Sequence, residues 1–161
     1  MRSPQVMTKK SKIIYLFVSI IFFILLNGYM SDLIILNAFK LPENPIFSIT
    51  YVQNQGAAFN IFEGQRIFLI VFALAAISGM IFYIVKHINK FSGLGLFFAS
   101  ILTSGIFNNM IERIMMGYVR DYIKLNFIDF PVFNISDIFI NIGVLGLIIL
   151  IILRGHFRKL F

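Results

Sequence analysis

The sequence predicts an all-α polytopic membrane protein with four transmembrane helices. Three observations carry that prediction. Of the 161 residues, 59% are hydrophobic and only 13% charged, and mean hydropathy is +0.90. A soluble domain covers itself with about 25% charged residues, so this chain would leave apolar surface against water. The apolar residues also fall into four runs near the length of roughly 20 residues that crosses a bilayer. Finally, the basic residues between those runs are divided unequally, as they are across a membrane.

The first run, 13–35, carries Asn27-Gly28-Tyr29 in its course and closes on Ser31-Asp32. Arg2, Lys9, Lys10 and Lys12 precede it, as in a signal peptide. No small-residue cleavage pattern follows, so it is expected to remain as a helix. Spans two and three are expected over 67–85 and 94–114. The fourth, 135–153, reaches spanning length only by starting near Ile135. No repeat, low-complexity tract or interdomain linker interrupts the chain, so 1–161 reads as a single membrane-embedded domain.

Segments 37–66 and 117–134 lie between spans. In the first, Pro42 and Pro45 oppose helix, and Phe47 to Val52 alternates as a short half-buried strand does. Gln55-Gly56-Ala57-Ala58 suits a tight turn or a close backbone approach. The second segment is expected to be a loop. One side of the membrane would hold Arg2, Lys9, Lys10, Lys12, Lys86, Lys90, Arg154, Arg158 and Lys159, with no acidic residue. All 7 acidic residues fall on the other side, with the remaining basic ones. The positive-inside rule then makes both termini cytoplasmic and turns 37–66 and 117–134 outward.

Several chemistries drop out. With no cysteine there is no disulfide, thiol nucleophile or thiolate metal site. His87 and His156 both sit beside basic residues on the cytoplasmic side, out of reach of Ser100, Ser104 and Ser136. No lysine lies within a span to serve a Ser–Lys pair, and no HExxH, GxGxxG or P-loop occurs. A metal held by Asp121, Asp129 and Asp137 would be a loose oxygen-ligand site. The net charge of +7 comes from residues flanking apolar runs, so it points to anionic head groups and not to nucleic acid.

Polar residues within spans are costly and mark function by default. Span three holds Ser104, Asn108, Asn109, Glu112 and Arg113 in its outer half. At helical spacing Asn109 stacks with Arg113 and Asn108 with Glu112. Their plain structural role is to bridge helices, with Arg113 neutralised by Glu112 or another acid. Gly117 should end the helix, and Asp121 follows. Asn134 or Ser136 can cap the fourth helix, placing Asp137 in its first turn, where the helix dipole alone would favour it. The plain role of Asp121 is to pair with Arg113 or Arg120. The two aspartates nevertheless sit at the same outer depth. Carboxylates brought close share a proton, so one can activate water while the other polarises a carbonyl.

Asn54-Gln55-Gly56-Ala57-Ala58-Phe59, Asn109-Met110-Ile111-Glu112-Arg113, Gly117-Tyr118-Val119-Arg120-Asp121-Tyr122 and Phe133-Asn134-Ile135-Ser136-Asp137 form a specific combination. In order and spacing, over nearly the whole length, the chain resembles the lipoprotein signal peptidases, also called signal peptidase II. The resemblance implies an aspartyl endopeptidase of the bacterial cytoplasmic (inner) membrane, monomeric, with its site at the outer face. Such enzymes remove the signal peptide from prolipoproteins, cutting before a diacylglyceryl-modified cysteine. It implies Asp121 and Asp137 as the catalytic pair, with Asn54, Asn109, Arg113 and Asn134 lining and ordering the site. Gly56, Ala57 and Ala58 would leave room for the substrate, and segment 41–64 would form the family's small extracytoplasmic β-rich cradle between spans one and two. It implies further that no metal or cofactor is needed, that membrane lipids surround the enzyme and that the cyclic peptide globomycin inhibits it.

Four positions depart from the family pattern. Asn27 and Ser31 stand where an Asp and a Lys are usual, Glu112 where Asp is usual and Asn108 where Gly is usual. Losing both members of a buried ion pair leaves neither unpaired. Glu112 is expected to press on Arg113, and Asn108 to add bulk between helices. The competing readings are a catalytically impaired paralogue that binds lipoprotein or globomycin, and a small transporter using Asp121, Asp137 and Arg113 as an ion relay. The transporter reading is the weaker, because these groups cluster on one side of the bilayer.

Overall fold

A computed structural model describes residues 7–36, 44–57 and 61–158, with side chains through residue 153. Four helices run in order: α1 (Lys9–Ile35), α2 (Arg66–Lys86), α3 (Gly93–Met116) and α4 (Ile135–Arg158). All four are long and apolar enough to cross a membrane. Strand β1 (Phe47–Asn54) lies between α1 and α2, β2 (Val119–Leu125) between α3 and α4, and a 3-10 turn covers Ile88–Lys90.

Helix ends follow from local chemistry. Thr8 Oγ1 accepts from the Ser11 N–H at 3.1 Å, and Ser92 Oγ from the Gly95 N–H at 3.0 Å, so each opens a helix as a side-chain cap. Gly117 closes α3 at φ +89°, a left-handed value that glycine alone adopts without steric cost. Asn27-Gly28-Tyr29 does not interrupt α1, which runs unbroken past it. In lipid an unpaired backbone group has no water to turn to, so the helix continues through its glycine.

α3 is the centre of the bundle. Half of its spanning window is buried, against 17% in each of the others. Glycine sets how near α4 comes. A Cβ on Gly105 would stand 2.5 Å from the Ser136 carbonyl oxygen, and one on Gly143 would stand 2.8 Å from the Leu102 nitrogen. Such small-residue contacts bring membrane helices together where no hydrophobic force can. At one end Leu16, Ile20, Ile84, Ile88, Leu96 and Ala99 form an apolar core. The buried Asn27, Ser31, Asn109, Asp121, Asn134 and Ser136 belong to the other end.

β1 and β2 pair antiparallel, with Val52 opposite Asp121 and Asn54 opposite Val119, and an irregularity between Ile49 and Val52. β1 was expected; β2 corrects the reading of 117–134 as a loop. The cradle therefore draws one strand from each of the segments 37–66 and 117–134. An added bridge pairs Ile123 with Phe133, which carries the chain back towards α4.

Candidate active site

The polar end of the bundle gathers residues from four elements. Asp121 lies on β2, 2% exposed, and Asp137 lies in the first turn of α4. Every one of their four carboxylate oxygens accepts a hydrogen bond. Asn54 Nδ2 donates to Asp121 Oδ2 at 2.9 Å, and Asn134 Nδ2 to Asp121 Oδ1 at 2.7 Å. Asn109 Nδ2 donates to Asp137 Oδ1 at 2.9 Å, and the Asn134 N–H to Asp137 Oδ2 at 3.1 Å.

Asn134 joins the two aspartates. Its Oδ1 accepts from the Asp137 N–H at 3.0 Å while Asp137 accepts from the Asn134 N–H. This reciprocal arrangement is a capping box, with an acid at the third helical position. Asn134 is thus the cap, and Ser136 is not. Its Nδ2 reaches Asp121 and also Asn109 Oδ1, the latter at 3.3 Å. One asparagine starts the helix, orients one carboxylate and touches the other.

Arg113 lies beneath the turn that follows β1. It donates to the Gly56 carbonyl at 2.6 Å and to the Asn109 carbonyl, one turn back, at 3.1 Å. Its buried Nε meets no acceptor among the described residues. Asn54 Oδ1 accepts from the Gly56 N–H at 2.9 Å, an Asx turn that ties Gly56 to the asparagine that also holds Asp121. Ala58, also expected at the site, lies outside the described residues. The other expected residues, Asn54, Gly56, Ala57, Asn109, Arg113, Asp121, Asn134 and Asp137, come together.

Burial pushes the Asp121 carboxyl up to about 6 from an ordinary 3.8. The Asn54 amide pulls it down, the charge of Asp137 pushes it further up, and Asn134 and Arg113 pull it down again. Burial thus outweighs three stabilising neighbours, as a desolvated carboxylate requires.

Some expected partners differ. Glu112 does not neutralise Arg113. Consecutive helical residues point about 100° apart, and Glu112 turns to β2, accepting from the Arg120 backbone N–H and Nε, both at 2.8 Å. Arg120 also meets Asp32 at 2.9 Å, so it is not the partner of Asp121. The Asn108 amide donates to the Ile24 carbonyl of α1 at 3.3 Å, so its bulk becomes a bridge between helices. Ser100 and Ser104 donate to carbonyls within α3. Asp129 is exposed, and no three acidic or histidine side chains among the described residues gather as a metal site.

A second polar cluster was not foreseen. Asn27 Nδ2 donates to Ser136 Oγ at 3.0 Å, and Ser31 Oγ lies 2.7 Å from the Tyr122 hydroxyl. Polar residues four apart in an apolar helix were the available signal for the α1 half. Nothing in the sequence placed Tyr122 opposite them.

Known proteins share this architecture. A solved bacterial membrane enzyme superposes with a TM-score of 0.75 at 25% identity, covering 89% of this chain and 90% of its own. A second such enzyme does so at 0.71 and 26% identity, over 84% and 91%. Four spans around a buried Asp121 and a half-buried Asp137 thus define a multi-pass membrane enzyme. The family model described as signal peptidase (SPase) II matches residues 18–153, and the chain belongs to that family of lipoprotein-processing proteases. A lipoprotein signal peptidase of Lactobacillus johnsonii is 35% identical over 153 residues, 91% of this chain and 96% of its own. One from Streptococcus thermophilus (strain CNRZ 1066) is 42% identical over 106 residues, 66% and 69% of the two chains.

Proposed function

We propose that the chain is an aspartic endopeptidase of a bacterial cytoplasmic membrane that cuts prolipoproteins immediately before the diacylglyceryl-modified cysteine. Asp121 and Asp137 carry the reaction. The observation that supports this most directly is the pair's setting, in which Asn134 reaches both aspartates and an amide donor faces each carboxylate oxygen.

The pair holds one proton. The ionised member takes a proton from water as the water oxygen attacks the scissile carbonyl carbon. The protonated member gives its proton to the carbonyl oxygen. The tetrahedral intermediate then collapses: the member that took the water proton gives it to the amine nitrogen of the lipidated cysteine as the C–N bond breaks, and the other member takes a hydroxyl proton back, restoring the shared proton. Asn54, Asn109 and Asn134 keep the carboxylates aimed throughout, and Arg113 braces the turn at Gly56. Positive-inside charge placement turns this end of the bundle outward. A substrate held by its acyl chains reaches it by lateral diffusion, with signal helix and lipid against the apolar outer faces. Globomycin is expected to occupy the same site.

The test is cleavage of a diacylglyceryl-modified prolipoprotein by the purified protein beside its Asp137→Asn variant. The expected result is a cut before the lipidated cysteine by the wild type alone. Failure of both, with globomycin still bound by both, would make the protein a binding relative.

A further inference from the structure

The segments that carry the two aspartates are joined twice. The first joint is backbone: the Tyr122 and Ile123 N–H groups donate to the Phe133 carbonyl at 3.0 and 2.8 Å, and the Phe133 N–H returns to Ile123 at 3.0 Å. The second is the Tyr122 side chain. Its hydroxyl accepts from the Ile135 N–H at 3.2 Å, one of the amides that a helix start leaves without an intrahelical acceptor.

The same hydroxyl is anchored to α1. Ser31 Oγ lies 2.7 Å from it and donates to Asn27 Oδ1 at 3.4 Å, and Asn27 Nδ2 donates to Ser136 Oγ at 3.0 Å. One arrangement of protons satisfies every contact. The Ile135 N–H points to the tyrosine oxygen, the tyrosine O–H to Ser31, and the serine O–H to Asn27. Burial pushes the Tyr122 phenol above its ordinary value, so it keeps its proton. The chain is neutral throughout and fully buried, with Tyr122 and Asn27 each 1% exposed. An unmade bond in such a place costs the whole desolvation of the stranded group.

Tyr122 touches neither carboxylate; their partners are Asn54, Asn109 and Asn134. From this the geometry points to Tyr122 as a positioning residue. Its hydroxyl, anchored by Ser31 and Asn27 on α1, sets where the first turn of α4 and Asp137 stand relative to Asp121. The ring alone fills space, and a phenylalanine would fill it as well. What the hydroxyl adds is a fixed distance between β2, α4 and α1. This role rests on the reading of Asp121 and Asp137 as the reacting pair.

Steady-state kinetics on a diacylglyceryl-modified prolipoprotein in detergent micelles test it, with wild type, Tyr122→Phe, Ser31→Ala and Asp137→Asn side by side. Tyr122→Phe is expected to lower kcat by about 10- to 100-fold, the cost of a small misplacement of reacting groups. KM should stay within about twofold, and at least one limb of the pH–rate profile should move. Ser31→Ala leaves the tyrosine in place and removes its anchor, and should give a smaller loss in the same direction. If Tyr122→Phe does not fold, Ser31→Ala decides alone. A folded variant with wild-type kcat and pH profile overturns the assignment, as does a loss that appears in KM alone. Asp137→Asn separates the two failures: if it cuts at the wild-type rate, the reading of the pair falls, whatever the tyrosine does.

Discussion

Asn134 makes three kinds of contact with one amide, and substitution can take them apart. Asn134→Ser keeps a cap for α4 but leaves buried Asp121 Oδ1 and Asn109 Oδ1 without their amide donor, so stability should fall by about 1–3 kcal/mol. The serine cannot reach Asp121, and kcat should fall by two orders of magnitude or so, since a misaimed carboxylate misses its water. Thermal unfolding in detergent and single-turnover cleavage measure the two effects separately. Asp121 makes a prediction about pH. Its folded pKa, about 6, stands above the ordinary 3.8, so its contribution to stability is complete below about pH 4 and is lost as pH rises through 6. Between pH 4 and 7 the stability difference between wild type and Asp121→Asn should therefore shift by up to about 3 kcal/mol, with the wild type favoured at the acid end. Chemical unfolding across that range checks the sign. Single residues were legible where a polar type in an apolar run had to be explained, as for Asn109, Arg113 and both aspartates. Pairings were not. Glu112 precedes Arg113 in the chain and faces away from it, and Tyr122, flanked by better-known neighbours, had no visible partner.

The helices were legible because lipid imposes one rule on all of them, a long apolar run with its backbone bonds satisfied internally. β2 was not legible for a physical reason. Both Asp121 and Tyr122 on this strand are buried, so the alternation of inward and outward residues is lost, and its partner β1 lies far away in sequence. The glycines of α3 and α4 carry a testable consequence. At Gly105 the space for a Cβ is taken by the Ser136 carbonyl and by Ile140. Gly105→Ala must push the first turn of α4 away from α3, at about 1–3 kcal/mol for overpacking. Activity should fall with stability, because the same turn carries Asp137. A Gly79→Ala control, where a Cβ meets nothing within 4 Å, should be neutral on both counts. α1 offers another comparison. Asn27→Asp alone buries a carboxylate without a cation and should cost several kcal/mol, about 3–5. Adding Ser31→Lys should restore stability, and equal stability of the single and double variants would show that the two positions do not pair.

The distribution of charge along the whole chain predicts an orientation, and the absence of cysteine makes that prediction easy to test. Single-cysteine variants labelled in intact cells with a membrane-impermeant maleimide should react at D129C and stay dark at Asn89→Cys; the opposite pattern would invert the topology. The four-span layout and the crowding of polar groups at one end followed from composition and spacing alone. What composition could not reveal is that the sheet is shared between segments 37–66 and 117–134, since strand pairing is a property of three dimensions. The capping box of α4 has a consequence of its own. Asp137 supplies the reciprocal half of that box and, on the proposed mechanism, takes part in chemistry, so this half of the box is weakened and restored with every turnover. When a proton lands on Asp137 the backbone amide of Asn134 loses its anionic acceptor, and the first turn is free to fray. Catalysis and helix initiation thus beat with one rhythm. The empty enzyme should exchange the amide hydrogens of that turn faster than an enzyme whose site is filled by an inhibitor.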